Sequence, residues 1–172
     1  MNLIFRLLSI LLLARVRTRV SVIGPCLTPF RCWPTDLDVL GHMNNGKYFS
    51  IMDLARVDLM IRAGLYKKLR KMGWYPVVVA ETLRFRKSLQ PFERFMIETT
   101  ILGWDEKAFI AQQRFLRSQE CVAEGVIRAR FLKRSGGSVT PNEVMALAGA
   151  AMQPAPLPDW VLAWNSRQAE SQ

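Results

Sequence analysis

Five polar side chains crowd into ten residues of an otherwise apolar region: Asp36, Asp38, His42, Asn44 and Asn45. They stand immediately before a run from Tyr48 to Ala63 that is apolar at eleven of its sixteen positions. Read as a helix, that run begins with N–H groups that lack intrahelical partners and carry partial positive charge. Such a terminus suits an anion or a developing oxyanion. A turn at Gly41 would fold Asp38 back beside those donors. A carboxylate next to donors of this kind is a hydrolase arrangement, with a base or nucleophile on one side and carbonyl polarisation on the other. The same residues also fit a purely structural role, in which Asn44 or Asn45 caps the helix, Asp36 and Asp38 hold the turn, and His42 sits in the loop. Spacing alone leaves both open. His42 is the one histidine of the chain, which excludes His-rich metal sites and leaves a Cys–His or Ser–His pair only through it.

The elements that must position this loop are legible from pattern. Residues 25–33 look extended, and the Tyr48–Ala63 run is apolar on nearly every face, so it belongs inside the protein. Gly64 closes it, and a shorter basic helix is expected over Leu65–Met72, ending at Gly73. After Pro76 the pattern turns to strands over Val77–Lys87, Phe92–Trp104, Ala108–Arg117 and Cys121–Lys133, separated by breaks of three residues that imply antiparallel hairpins. Thr140 and Pro141 read as the cap and first turn of another helix. The stretch from Pro154 to Trp164 gives either a second short helix or an extended arm. The sum is α+β, one long curved antiparallel sheet wrapped around a central hydrophobic helix. Its open edges make a dimer with continuous strand pairing the natural expectation.

Composition agrees with one domain: 172 residues, half of them hydrophobic, enough to bury a core without staples. Cys26 and Cys32 lie on one strand face roughly 20 Å apart, too far for a disulfide. With Cys121 alone elsewhere, the three thiols fit core packing in a reducing compartment, hence a cytoplasmic location. The net charge of +10 is uneven, since residues 1–35 hold five arginines and no carboxylate. Nucleic acid is set aside because no zinc-knuckle spacing, RNP-type aromatic motif or Gly-rich repeat accompanies the charge.

Residues 1–22 read as an N-terminal segment ahead of a domain at 23–172. Its apolar run over residues 3–13, interrupted by Arg6, is too short to span a bilayer, which takes about 20 residues. It also lacks the layout of a signal peptide, because arginines fill the place of a cleavage site. Two readings stay open: residues 3–19 lie on an anionic inner membrane face, or the helix packs on its own domain or on a partner subunit.

The stretch from Trp33 to Tyr48, with Asp36, Asp38, Gly41, His42, Asn44, Asn45 and Tyr48 in order and Ala55-Arg56 following, resembles the hot-dog thioesterases of the 4-hydroxybenzoyl-CoA thioesterase type. It is most similar to their thioesterase-superfamily-member branch. Arg86-Lys87-Ser88-Leu89, Pro91-Phe92-Glu93 and the Leu102–Phe109 block extend the likeness over residues 26–165. The resemblance implies a hot-dog fold, a homodimer with each site at the subunit interface, and an acyl-CoA or acyl carrier protein thioester as substrate, with no cofactor and no metal. It implies that Asp38 is the catalytic carboxylate, either a nucleophile forming a mixed anhydride or a general base directing water. The backbone N–H of Asn45, with Gly46, would polarise the thioester oxygen, and Asp36, His42, Asn44 and Tyr48 would shape the loop. Lys47, Arg84, Arg86 and Lys87 are candidates for the phosphates of coenzyme A, and equally for solvated surface charge. Other hot-dog enzymes carry the working carboxylate on the central helix, where this chain has Asp53; a structural pair with Arg56 one turn on is the competing role. A protein that binds acyl-CoA or lipid at the membrane surface without turnover is the alternative function.

Overall fold

The computed structural model describes residues 2–150 and 156–169. The greasy run after the polar loop is a helix buried within the molecule, α2, Asn45–Arg62. Before it come a helix α1, Asn2–Leu13, and strand β1, Cys26–Arg31; after it come α3, Leu65–Met72, and four long strands. These are β2 (Trp74–Phe85), β3 (Arg94–Trp104), β4 (Phe109–Arg117) and β5 (Glu120–Lys133), followed by a short β6 (Ser138–Val139), α4 (Pro141–Ala148) and α5 (Asp159–Ala169). The sheet is antiparallel with order β1-β3-β4-β5-β2, and β6 pairs with β5. This is the expected sheet-around-helix wrap. Tyr48, Ile51, Met52 and Ala55 of α2 are buried against Ile97 of β3, Phe115 of β4 and Ala123 and Ile127 of β5.

Strand ends differ from the sequence reading by up to three residues, and three differences have identifiable reasons. The central helix starts at Asn45, three residues early, because Asn44 caps it by accepting the Gly46 N–H at 2.9 Å. Strand β2 starts at Trp74 and runs through Pro76. Proline ordinarily breaks a ladder, but β2 is an edge strand, paired with β5 alone, and an edge tolerates a missing N–H. The C-terminal stretch is helical from Asp159, while Pro154 lies outside the described residues. Thr140 and Glu143 form the reciprocal cap expected for α4.

Gly125 sets how closely the central helix approaches the sheet. A Cβ there would lie 2.9 Å from Met52 Cε and 2.9 Å from the Thr82 carbonyl oxygen, closer than packed atoms sit. Gly125→Val therefore costs about 1–3 kcal/mol through overpacking, and thermal unfolding should shift down by about 2–4 °C per kcal/mol. An unchanged melting temperature would show that the strand yields there.

The N-terminal segment is tied to the wrap by two buried charges. Arg6, on the inner face of α1 with Ile10 and Ala14, reaches the polar loop. Farther on, fully buried Asp58 of α2 accepts a hydrogen bond from Thr28 Oγ1 at 2.8 Å and pairs with Arg62 at 3.4 Å and Arg17 at 3.5 Å. Arg62 also donates to the Thr18 and Leu27 carbonyls. Basic residues that read as free in sequence are thus divided: Arg6 and Arg17 face inward, Arg15 and Arg19 face solvent.

Candidate active site

The polar loop is a tight hairpin laid against the start of α2. Pro34–Asp36 form a single 3-10 turn, after which Leu37 and Met43 pair as an isolated antiparallel bridge. The Asp38 N–H donates to the His42 carbonyl at 2.9 Å, and the Gly41 N–H to the Asp38 carbonyl at 3.1 Å. Gly41 makes the reversal with φ of +77°, a conformation glycine adopts without strain. The turn expected at Gly41 is present. One step further along the ladder, the Asn44 N–H donates to the Asp36 carbonyl at 2.8 Å, so the outgoing arm of the hairpin becomes the N-cap of α2.

Asp36 and Asp38 part company in this geometry. Asp36 is buried, and its Oδ2 accepts from the Trp33 N–H at 2.8 Å and from Arg6 at 2.5 Å. It fastens the loop. Asp38 is half-buried; its Oδ1 accepts the Leu40 N–H at 2.9 Å, an Asx turn that fixes the carboxylate while leaving Oδ2 outside that bond. His42 contributes its carbonyl to the hairpin. Asn44 spends its side chain on the Gly46 N–H, so of the two expected carbonyl-polarising amides Gly46 is engaged within the helix cap. The Asn45 N–H, at the first helical position, has no intrahelical partner.

Tyr48 is buried, accepts the Leu89 N–H at 3.3 Å through its hydroxyl and packs edge-on against Phe85. Burial pushes its pKa above the ordinary tyrosine value, which keeps it a neutral clamp. Leu89, itself fully buried, accepts the Met43 N–H at 3.0 Å through its carbonyl. One residue of the β2–β3 connection therefore grips both the hairpin and the helix. The sequence pattern gives neither Leu89 nor Arg6 a role in the site, although a lone arginine inside an apolar helical run signals a buried partner.

The candidate phosphate-binding cations are spread out. Lys47 is half-buried in the first turn of α2; Arg84 is exposed on β2. Arg86 pairs with Glu124 at 3.1 Å, and Lys87 with Glu120. Among the described residues no cluster of three metal-ligating side chains occurs. Burial, reinforced by neighbouring carboxylates, pushes the Cys26 and Cys32 thiols up to about 11, so both are packing groups and not nucleophiles.

A cavity of about 480 Å³ lies between the second half of α2 and the sheet, lined by Met60, Val78, Ile101, Ala111, Ala129 and Phe131 among others. Asp53, ion-paired to Arg56, and Glu81 add polar groups to its wall. Burial raises the Glu81 carboxyl above its usual range, with Arg56 opposing and Asp53 adding to the shift. The helix rise puts Asp53 about 12 Å along α2 from Asn45. Carboxylate turn and cavity are thus separate places along one helix, and the cavity is where the central-helix carboxylate sits.

Residues 32–165 match the family described as the Thioesterase-like superfamily. Over 131 residues the chain is 33% identical to Protein THEM6 of Xenopus laevis, covering 76% of this chain and 62% of that protein. The chain spans less than two thirds of the length of the curated relatives it matches. Among solved structures, the YbaW probable thioesterase of Escherichia coli superposes with a TM-score of 0.66 at 18% identity, over 70% of this chain and 94% of that one. A 4-hydroxybenzoyl-CoA thioesterase variant complexed with 4-hydroxybenzoyl-CoA gives 0.65 at 18% identity, over 72% and 97%. At such identities the structural likeness speaks for the fold, the hot-dog wrap.

Proposed function

Because the chain belongs to the Thioesterase-like superfamily, we propose that it hydrolyses acyl thioesters of coenzyme A or of an acyl carrier protein, with Asp38 as the working carboxylate. One observation supports the reading: the Gly41 hairpin pairs Asp38 with His42, on the arm that runs through the Asn44 cap into α2, and the Leu40 N–H holds Asp38 Oδ1. A thioester carbonyl lying against that terminus has the Asn45 N–H for its oxygen and the Asp38 carboxylate for its carbon or for an attacking water. The cavity farther along α2 offers apolar volume for the acyl group. The unpaired outer edge of β2, twelve residues long, suits antiparallel pairing with a second copy. Light scattering should then give a mass twice the 19.7 kDa of the chain; a monomer would remove that interface.

A second reading, acyl-CoA binding without turnover, is favoured by the Gly46 N–H being spent on Asn44, which leaves one carbonyl-polarising amide in place of two. Free-thiol release across acyl-CoA chain lengths, measured beside ligand-induced thermal stabilisation, separates the two. Thiol release supports hydrolysis. Stabilisation without release supports binding, and neither response sinks both.

A further inference from the structure

The N-terminal helix has its faces the wrong way round for a helix that only packs on its own domain. Its inner face carries Arg6, Ile10 and Ala14, with the arginine buried against the loop. Its outer face carries Ile4, Phe5, Leu8, Leu12 and Leu13 and continues to Val16 in the following turn, these side chains being 47–81% exposed. The one hydroxyl on that face, Ser9 Oγ, donates to the Phe5 carbonyl at 2.9 Å, so its hydrogen is not offered outward. A surface helix ordinarily turns its polar side to water. Here a continuous apolar strip is presented to it, and contiguous patches of this kind mark contact sites.

What covers the strip is indicated by charge. Arg15 and Arg19, directly after the helix, are exposed, whereas Arg17 is drawn inward to Asp58. No carboxylate occurs before Asp36, so two such segments laid together would bring like charges into contact. An apolar helical face bordered by arginines fits an anionic bilayer surface, with the side chains in the acyl boundary and the guanidinium groups at the lipid phosphates. No helix among the described residues is long and apolar enough to cross a membrane. Helix α1 also contacts β1, through the Arg6 donation to the Arg31 carbonyl at 2.8 Å, at the sheet edge opposite β2. Pairing of two copies through β2 uses the other edge.

We infer that the outer face of α1 docks the protein peripherally on anionic lipid bilayers, lying in the interface and not crossing it. This goes beyond the thioesterase reading and does not depend on it, since vesicle binding is measured without substrate. The full chain is sedimented with vesicles of phosphatidylcholine alone and of phosphatidylcholine mixed with phosphatidylglycerol. Expected is co-sedimentation with the mixed vesicles that weakens as salt rises, and little with the neutral ones. Phe5→Glu and Leu8→Glu should each weaken binding about tenfold or more, since burial of one such side chain is worth that factor. Arg15→Gln with Arg19→Gln should weaken it selectively on the anionic vesicles. Melting temperature and solution mass should stay as in the parent chain, because the substituted side chains face solvent. Absence of co-sedimentation, or binding unchanged by the glutamate substitutions, overturns the inference. So does a fall in solution mass caused by those substitutions, which would make the strip a contact between copies.

Discussion

Asp38→Asn is expected to lower kcat for thioester hydrolysis by at least about a hundredfold and to leave the melting temperature unchanged. The substitution is unusually clean at this position. Asp38 Oδ1 accepts the Leu40 N–H, and an asparagine amide oxygen accepts the same bond, so the Asx turn and the hairpin behind it survive. What is lost is the negative charge and the capacity to attack the thioester carbon or take a proton from water. Asp53→Asn is the matched control. It releases Arg56 from its ion pair and removes one of the two carboxylates on the cavity wall, yet on the proposed assignment kcat stays within about threefold, below the range of general acid–base effects. The reverse pattern, with Asp53→Asn inactive and Asp38→Asn active, would move the chemistry onto the central helix.

The loop was legible because it is local. Asp36 to Asn45 fit within one hairpin and one helix cap, and the residues that form them announce themselves by type: glycine where φ must be positive, asparagine where a first-turn N–H needs an acceptor. The wrap was legible for the same reason, since hydrophobic period and three-residue breaks are properties of neighbouring residues. Strand β2 shows where local reasoning fails. Pro76 argues against a strand until one knows that β2 is at the edge, and strand order is a fact about the whole sheet.

The supports of the site were hidden because they depend on contacts between distant segments. Leu89 is an apolar residue in a polar connection, and nothing near it says that it holds both Tyr48 and Met43. The cavity is lined from α2, α3, four strands, α4 and Val22 ahead of β1, so no single stretch of sequence contains it. Net charge is equally silent about place: it does not tell which of the 24 cations lie inside, and Arg6 and Arg62 are buried and engaged with Asp36 and Asp58 of the same chain.

Arg6→Ala is expected to cost about 3–5 kcal/mol, because it leaves the buried Asp36 carboxylate without its guanidinium in a site from which water is excluded. For a domain of this length each kcal/mol lowers the melting temperature by about 2–4 °C. The geometry adds a second, separable effect. Arg6 Nη2 holds Asp36 Oδ2 and the Arg31 carbonyl together, Asp36 holds the Trp33 N–H, and its carbonyl holds the Asn44 N–H that starts α2. A shift of Asp36 is therefore passed both to the arm bearing Asp38 and to the N-cap of α2. At a temperature well below unfolding, kcat should fall while KM changes little, since the cavity proposed for the acyl group lies farther along α2. Arg6→Lys retains the charge and should recover part of both losses. A variant that melts early but turns over at the parental rate would confine Arg6 to stability; parental melting and parental kcat together would show that the loop keeps its place without the N-terminal helix.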